Sequence, residues 1–239
     1  PAGLRIDPKR PGTDSTFYCT HFPVATSLAS TWNTPLVKSV GNAIGNETLE
    51  YGVDILLAPA TNIMRNPLCG RNFEYYSEDP ILAGKLTSAM IQGIQQNGVG
   101  TSIKHFALNN QETNRTGNNV LVSPYVMHEL YLKPFEIAIR ESTPWTVMSS
   151  YNKVNGEYAS ENSLLLDSIL RRRWGYKGLV MTDWFGGQDA VKQTVAGNDL
   201  LMPGLKKQRK ALKDAVENGK LSTHILDRNV QRILELIIK

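Results

Sequence analysis

The chain has 239 residues, 41% of them hydrophobic and 20% charged, with a formal net charge of +4. That length suits one large α/β unit or two small domains with a sizeable core. No run of about 18 apolar residues occurs, which excludes a transmembrane helix and gives no reason to expect a membrane partner. The basic clusters Arg171-Arg172-Arg173 and Lys206-Lys207-Gln208-Arg209-Lys210 fall in helical patterns and read as solvated faces; no nucleic-acid motif accompanies them. Cys19 and Cys69 are too few for a disulfide scaffold, although one bridge stays open to an oxidising compartment. With no CxxC pair or clustered histidine, no metal site is expected. The chain opens at Pro1-Ala2-Gly3-Leu4-Arg5 without a start methionine or signal peptide, as a fragment or processed product would.

In chain order, Phe22-Pro23-Val24 offers a first short strand. Leu36, Val40, Ile44 and Leu49 recur near helical spacing and predict a helix over 34–50. Val53 to Ala58 is a short apolar strand stopped by Pro59, and a long polar loop follows to Asp79. Asp79-Pro80 forms an N-cap and N1 pair for a helix that closes near Asn97-Gly98. Val99 to Lys104 is the next strand, and a second polar loop runs over 105–122. Ser123-Pro124 opens a helix to about Arg140, Trp145 to Ser149 is a strand, and a helix led by Ser160 to Ser163 stops before Gly175. Gly178 to Thr182 is a buried-strand pattern, 186–196 reads as helical, and Asp199 to Met202 as a short strand. Helices over 206–218 and 222–239 complete the chain.

Six strands alternating with helices argue for parallel βαβ units, in a doubly wound sheet or a barrel. Unusually long polar loops follow several strands and would open on one face, which favours the barrel. Four of those post-strand segments concentrate reactive side chains: Asn66 to Glu74, Lys104 to Arg115, Tyr151-Asn152 and Asp183-Trp184. A carboxylate, several cations, a histidine, a tyrosine and an indole gathered at the strand ends suit a neutral, hydroxyl-rich ligand: charged donors and acceptors for its rim, an aromatic plate for its C–H face. Each piece has a plainer reading. Asp183 could cap a following helix, Arg71 could pair with Glu74 or Glu78 at little consequence, Tyr151 could be core, and 109–115 could be a loop satisfying its own backbone. No phosphate loop or Gly-x-Ser-x-Gly elbow competes.

These segments resemble the N-terminal barrel domain of glycoside hydrolase family 3, which includes many bacterial β-glucosidases. The resemblance rests on Gly3-Leu4-Arg5, Leu28 to Trp32, Leu57-Ala58-Pro59, the Gly-Arg-Asn-Phe-Glu and Ser-Glu-Asp-Pro of 66–80, Lys104-His105-Phe106, Asn110-Gln111-Glu112, Met148 to Gly156, Trp174 to Gly178, Thr182-Asp183-Trp184, Ala196 to Asp199 and Met202-Pro203-Gly204, in the family's order. It implies an α/β fold of (β/α)8 type, sometimes incomplete, followed in the family by a separate α/β sandwich domain, so that 1–239 would be one barrel domain. It also implies a retaining exo-glycosidase needing no metal or organic cofactor. By resemblance Asp183 is the nucleophile, Arg5, Arg71, Lys104, His105, Arg115 and Tyr151 hold the terminal sugar's hydroxyls or support the nucleophile, and Trp184 lines the same subsite. Trp184 favours a β-glucosidase over a β-xylosidase of the same family.

The sequence departs from the family pattern twice. The general acid/base usually comes from the following domain, a complementary α/β partner, and Glu112 does not follow the histidine-aspartate pattern of the related β-N-acetylglucosaminidases. The Asp-Gly that members carry before the position of Pro1 is missing, and that Asp holds distal hydroxyls. The alternative is a sugar-binding module without catalysis; a purely structural domain would bind no sugar. Arg71 and Lys104 are expected to depress the pKa of Asp183 and keep it ionised.

Overall fold

The computed structural model describes residues 2–239; Pro1, with the family position that precedes it, lies outside them. Four parallel strands form the central sheet in the order β1 (Ile55–Leu56), β2 (Gly100–Phe106), β4 (Thr146–Ser149) and β7 (Leu179–Thr182). Register runs from Ile55 opposite Gly100, through Ser102 opposite Thr146, to Thr146 opposite Leu179, with one irregularity in β2 between Ile103 and Phe106. Bridges at Ala60–Lys104 and Met181–Leu200 extend it at both sides. The fold is therefore α/β with parallel strands, an incomplete run of a β/α barrel among the described residues rather than a closed eight-stranded ring.

Two expected strands do not form. Residues 22–24 lead directly into helix α1 (Ala25–Ala29), and Phe22 contributes only a backbone N–H to Ala2 O at 2.8 Å. Residues 199–202 reduce to the single Leu200 bridge, because the Asp199 carboxylate takes the Val180 N–H at 2.9 Å from inside the fold. A small second sheet, β3 (Asn119–Val120), β5 (Lys153–Val154) and β6 (Glu157–Tyr158), was not legible; each strand is only two residues long.

The helices follow their caps. Asn33 accepts from Leu36 N to open α2 (Thr34–Glu50), Asp79 accepts from Leu82 N to open α3 (Pro80–Gln95), and Ser123 accepts from Val126 N to open α4 (Pro124–Val126). The single helix expected from Ser123-Pro124 to about Arg140 is three pieces in space: α4, a π-type turn at Met127–Tyr131, and α5 (Lys133–Ser142) with Pro134 in its first turn. A π-type helix occupies Leu164–Arg173. The helix expected from 186 begins only at α6 (Ala190–Ala196), capped by Asp189, so Asp183 is not a cap. α7 (Lys206–Glu217) and α8 (Thr223–Ile237) follow. No helix of the described residues is long and apolar enough to cross a membrane.

The two sides of the sheet divide the core, and the irregularity between Ile103 and Phe106 lets both face one side. Ile103, Phe106, Val147 and Val180 face the helices, where the Phe106 ring meets Phe135 edge-on at 5.2 Å and Trp174 at 5.8 Å. Met148 and Met181 point the other way, into a cluster with Leu179 that Leu57, Trp184, Leu200 and α8's Ile233 and Leu236 cover. Helices α2 and α3 touch backbone to backbone: a Cβ on Gly93 would lie 2.2 Å from Lys38 O. Arg171 corrects the reading of its cluster as a solvated face. Its guanidinium is buried and paired with Asp199 at 2.6 Å, and Arg232 of α8 reaches the same carboxylate at 2.8 Å. Cys19 and Cys69 are both free thiols.

Candidate active site

The site gathers on the C-terminal side of the parallel strands, where barrels keep their chemistry: Lys104 and His105 at the end of β2, Tyr151 and Asp183 just after β4 and β7, and Arg71, Glu74 and Arg115 on the loops that follow β1 and β2. Asp183 follows β7 directly. Its N–H donates to Ser149 O at 3.0 Å, and its own carbonyl accepts from Gly186 N at 3.0 Å. The turn beyond is held from below: Gln193 donates to Gly186 O, and buried Glu161 accepts from Gln188 N at 2.6 Å and Asp189 N at 2.9 Å. Gly187 has φ +69, and a Cβ there would meet Gln193 Nε2 and Ser160 Oγ. The loop therefore closes over the end of the sheet only with glycine at that point.

His105 enters from β2. It is 1% exposed, and its Nε2 lies 3.7 Å from Asp183 Oδ2, beyond hydrogen-bond length. Asn62 clamps its backbone from the neighbouring loop, donating to His105 O and accepting from His105 N, each at 2.8 Å. Its Nδ1 is buried without a partner among the described residues. Burial, reinforced by Arg71, Lys104 and Arg115, pushes the imidazole's pKa well below 6.5, so it is neutral at pH 7.

Tyr151 enters from β4. Its hydroxyl meets Asp183 and its ring carries the Arg115 guanidinium at 4.6 Å. Burial, aided by the Asp183 charge, pushes the phenol up to about 12, so it stays a proton donor. Arg115 also pairs with Glu112 at 2.7 Å, and Asn109 donates to the same carboxyl group at 3.3 Å.

One charged residue of this cluster lay in the reactive segment 66–74 but was not among the expected site residues. Glu74 is 5% exposed, accepts from Arg71 Nε, and lies 3.9 Å from Lys104 Nζ. Arg71 does pair with Glu74, as the plainer alternative had it, but the pair is buried and Glu74 joins the cation of the loop after β1 to Lys104 of β2. Burial works against the Glu74 charge, but Lys104 and Arg71 outweigh it and hold its pKa below the usual range. Burial lowers the Lys104 pKa, and Glu74 only partly offsets it. The signal for Glu74 was its place three residues after Arg71, which a short 3₁₀ turn at Asn72–Glu74 turns inward.

Asp183 itself behaves contrary to expectation. Burial raises its pKa above the ordinary 3.8, and this outweighs the Trp184 N–H at 2.8 Å, the Tyr151 hydroxyl, Arg71 and Lys104, all of which favour the charged form. Arg71 and Lys104, the cations expected to dominate, act on it less than burial, the Trp184 N–H or the Tyr151 hydroxyl. The half-buried Trp184 holds Asp183 through its backbone and packs its indole on the Met148–Met181 cluster. Arg5 is exposed and, among the described residues, makes no hydrogen bond or ion pair with this cluster. The structure thus brings Asp183, His105, Tyr151, Arg71, Lys104 and Arg115 together, and leaves Arg5 apart.

A pH prediction follows from His105. Its folded pKa is depressed, so the unfolded chain binds the proton more tightly, and stability falls as pH drops below 6.5 toward the folded value. Urea midpoints at pH 7.5 and 5.5 should separate more in the parent than in His105→Gln; equal separations would refute the assignment.

Comparison with known proteins places the geometry among carbohydrate-active relatives. Residues 7–236 match the family model described as the glycosyl hydrolase family 3 N-terminal domain. The structure of β-glucosidase 3B from Thermotoga neapolitana in complex with glucose superposes with a TM-score of 0.96 at 52% identity, covering 99% of this chain and 34% of that one. Thermostable β-glucosidase B of Acetivibrio thermocellus is 47% identical over 221 residues, 91% of this chain and 29% of its own length. An exo-α-(1→6)-L-arabinopyranosidase of Bifidobacterium breve is 41% identical over 95% of this chain and 30% of its own. The chain thus spans about a third of the length of the relatives it matches.

Proposed function

The chain belongs to glycosyl hydrolase family 3, and from that membership we propose that it is the nucleophile-bearing barrel of a retaining, exo-acting β-glucosidase that releases terminal non-reducing β-D-glucosyl residues. The observation that carries this reading is the surroundings of Asp183: a buried carboxylate at a strand end, with Tyr151, His105 and the Arg71–Glu74–Lys104 hub directed at one space.

In this mechanism an Asp183 oxygen attacks the anomeric carbon and forms a covalent glycosyl ester. The bond to the leaving oxygen breaks, and that oxygen takes a proton from a carboxylic acid. Water then attacks the same carbon, gives its proton to the resulting carboxylate, and frees Asp183. The Tyr151 hydroxyl and Trp184 N–H orient the nucleophile. Glu74 with Arg71 and Lys104 offers paired acceptors and donors to the sugar's hydroxyls, and hydroxyl contacts of this kind strengthen in the transition state. Neutral His105 serves as a hydroxyl partner rather than a charge.

The proton donor is proposed to come from a complementary α/β domain. A general acid needs a raised pKa, whereas Glu74 is held low by two cations, Glu112 is committed to Arg115 and Glu161 to two backbone N–H groups. The Bifidobacterium relative supports a second reading on the same residues, with an α-L-arabinopyranoside as substrate. Turnover of aryl β-D-glucoside against aryl α-L-arabinopyranoside decides between the two.

Mass spectrometry after incubation with an activated 2-fluoro-β-glucosyl donor tests the chemistry. The expected result is one glycosyl adduct on Asp183. Sugar binding with no adduct, in a protein that includes the proton-donating domain, would instead make this a non-catalytic sugar-binding module.

A further inference from the structure

The opposite end of the sheet carries a second collection of charge. Gly175 to Lys177 lead into the N-terminal end of β7, away from Asp183, and with α8 they wall a groove of about 510 Å³. Five cations line it, Arg171, Arg172, Lys177, Arg228 and Arg232, against one carboxylate, Glu235. The buried Asp199 behind them has both oxygens engaged, one by Arg171 and one by Arg232. Arg172 pairs with Asp167, and Glu235 accepts from Gln231 Nε2 at 2.7 Å. Among the described residues, Arg228 and the exposed Lys177 make no ion pair. Arg228 donates from Nε and Nη2 to Asn229 Oδ1 and from Nη2 to Thr194 O, which leaves Nη1 without a partner there. Arg232 gives Nη1 to Asp199 and likewise keeps Nε and Nη2.

The positive charge exceeds what the fold uses. Arg171 and Arg232 have a structural task on Asp199; Lys177 and the free edges of Arg228 and Arg232 have none. Even Arg171, whose side chain is 8% exposed, leaves its Nε without a partner. Burial lowers the pKa of Arg171 and of Arg228, and the Arg232 charge adds to both effects. A further anion would relieve this repulsion. Guanidinium forks match the oxygens of a phosphate group, and an ammonium adds a point charge. The one apolar ring of the lining is out of reach. Tyr176 is buried, donates its hydroxyl to Leu179 O at 3.2 Å and lies with its ring under Arg171 at 5.4 Å. The groove therefore offers no face to an aromatic base or an acyl chain, and its volume is that of a small-molecule site.

We propose that this groove is a binding site for a small, soluble, polyvalent phosphate anion, gripped by Lys177, Arg228 and Arg232. Its role is stability rather than chemistry. Asp199, which the same arginines hold, accepts the Val180 N–H of β7 at 2.9 Å, so an anion that bridges this corner favours the folded state.

Calorimetric titration of the full-length protein with pyrophosphate, at an ionic strength fixed with chloride, tests it. One equivalent should bind with a Kd below about 1 mM, and the melting temperature should rise with pyrophosphate concentration. Lys177→Glu changes an exposed residue with no partner to lose, so its fold should match the parent's. It should weaken pyrophosphate binding by at least about 10-fold, the worth of one charged contact, and Lys177→Gln/Arg228→Gln should do the same without a reversed charge. Arg115→Gln, which removes a cation from the Asp183 cluster instead, should bind pyrophosphate as the parent does. No binding above the chloride background overturns the proposal, as does an unchanged affinity in Lys177→Glu or a loss confined to Arg115→Gln. Sedimentation with phosphatidylglycerol vesicles separates soluble from lipid phosphate. The protein should stay in the supernatant, and vesicle binding that Lys177→Glu abolishes would overturn the soluble ligand in favour of a headgroup.

Discussion

Replacing Asp183 with alanine in the full-length enzyme should lower hydrolysis of an aryl β-glucoside by at least about 10⁴-fold, the scale seen when a covalent nucleophile is removed. Added azide should restore turnover and yield the α-glucosyl azide, because the anion occupies the space the carboxylate vacated and attacks from the same face. Normal turnover in Asp183→Ala, or rescue that gives the β-azide, would remove Asp183 from the nucleophile's role. The fold should survive the change. Burial raises the Asp183 pKa above 3.8, so the folded state binds that proton more tightly than the unfolded one. Stability then falls as pH rises from 3.8 through the folded value, and the full penalty is present above it. Asp183→Asn should therefore melt above the parent at pH 7, with the gain shrinking as the buffer is taken toward pH 4. A charged group that weakens its own fold is a usual feature of active sites. If Asp183 is the nucleophile, the same raised pKa should place the acid limb of the kcat/KM profile above the range of an ordinary aspartate.

Asp199→Ala tests the fold rather than the chemistry, and its effect on stability should be the largest of any single carboxylate here. The Asp199 side chain is fully buried, holds Arg171 at 2.6 Å and Arg232 at 2.8 Å, and accepts the Val180 N–H at 2.9 Å. Its removal leaves the buried Arg171 guanidinium without an anion. Burial already lowers that guanidinium's pKa, and Arg232 and Arg228 add to the effect. Breaking a buried pair from one side costs about 3–5 kcal/mol. For a chain of this size that is a fall in melting temperature of about 6–20 °C. A drop under about 2 °C would mean that the cluster contributes little beyond a surface pair.

The caps and strand ends were legible because their signals are local. Asp79-Pro80 and Ser123-Pro124 open helices as their residues dictate, and the apolar runs before Thr182 and Ser149 became buried strands. The errors share one cause, competition from partners far along the chain. Residues 199–202 have a strand's composition, but Asp199 satisfies a strand N–H with its side chain and an arginine pair at the same time. Residues 186–189 have helical neighbours, but Glu161 and Gln193 hold them as a turn. Arg171 looked like one of three solvated arginines because its anion lies 28 residues away.

For the site, residue order pointed to which side chains would reach the strand ends: Asp183 and Tyr151 follow the short strand patterns of 178–182 and 145–149, and His105 stands at the end of the one that starts at Val99. The tertiary structure decided their electrostatics. The balance between burial and neighbouring charge on Asp183, the neutral state of His105 and the hub role of Glu74 depend on separations of a few ångströms between segments tens of residues apart. Coulomb and desolvation energies vary with distance and depth, and neither quantity is written in a local pattern.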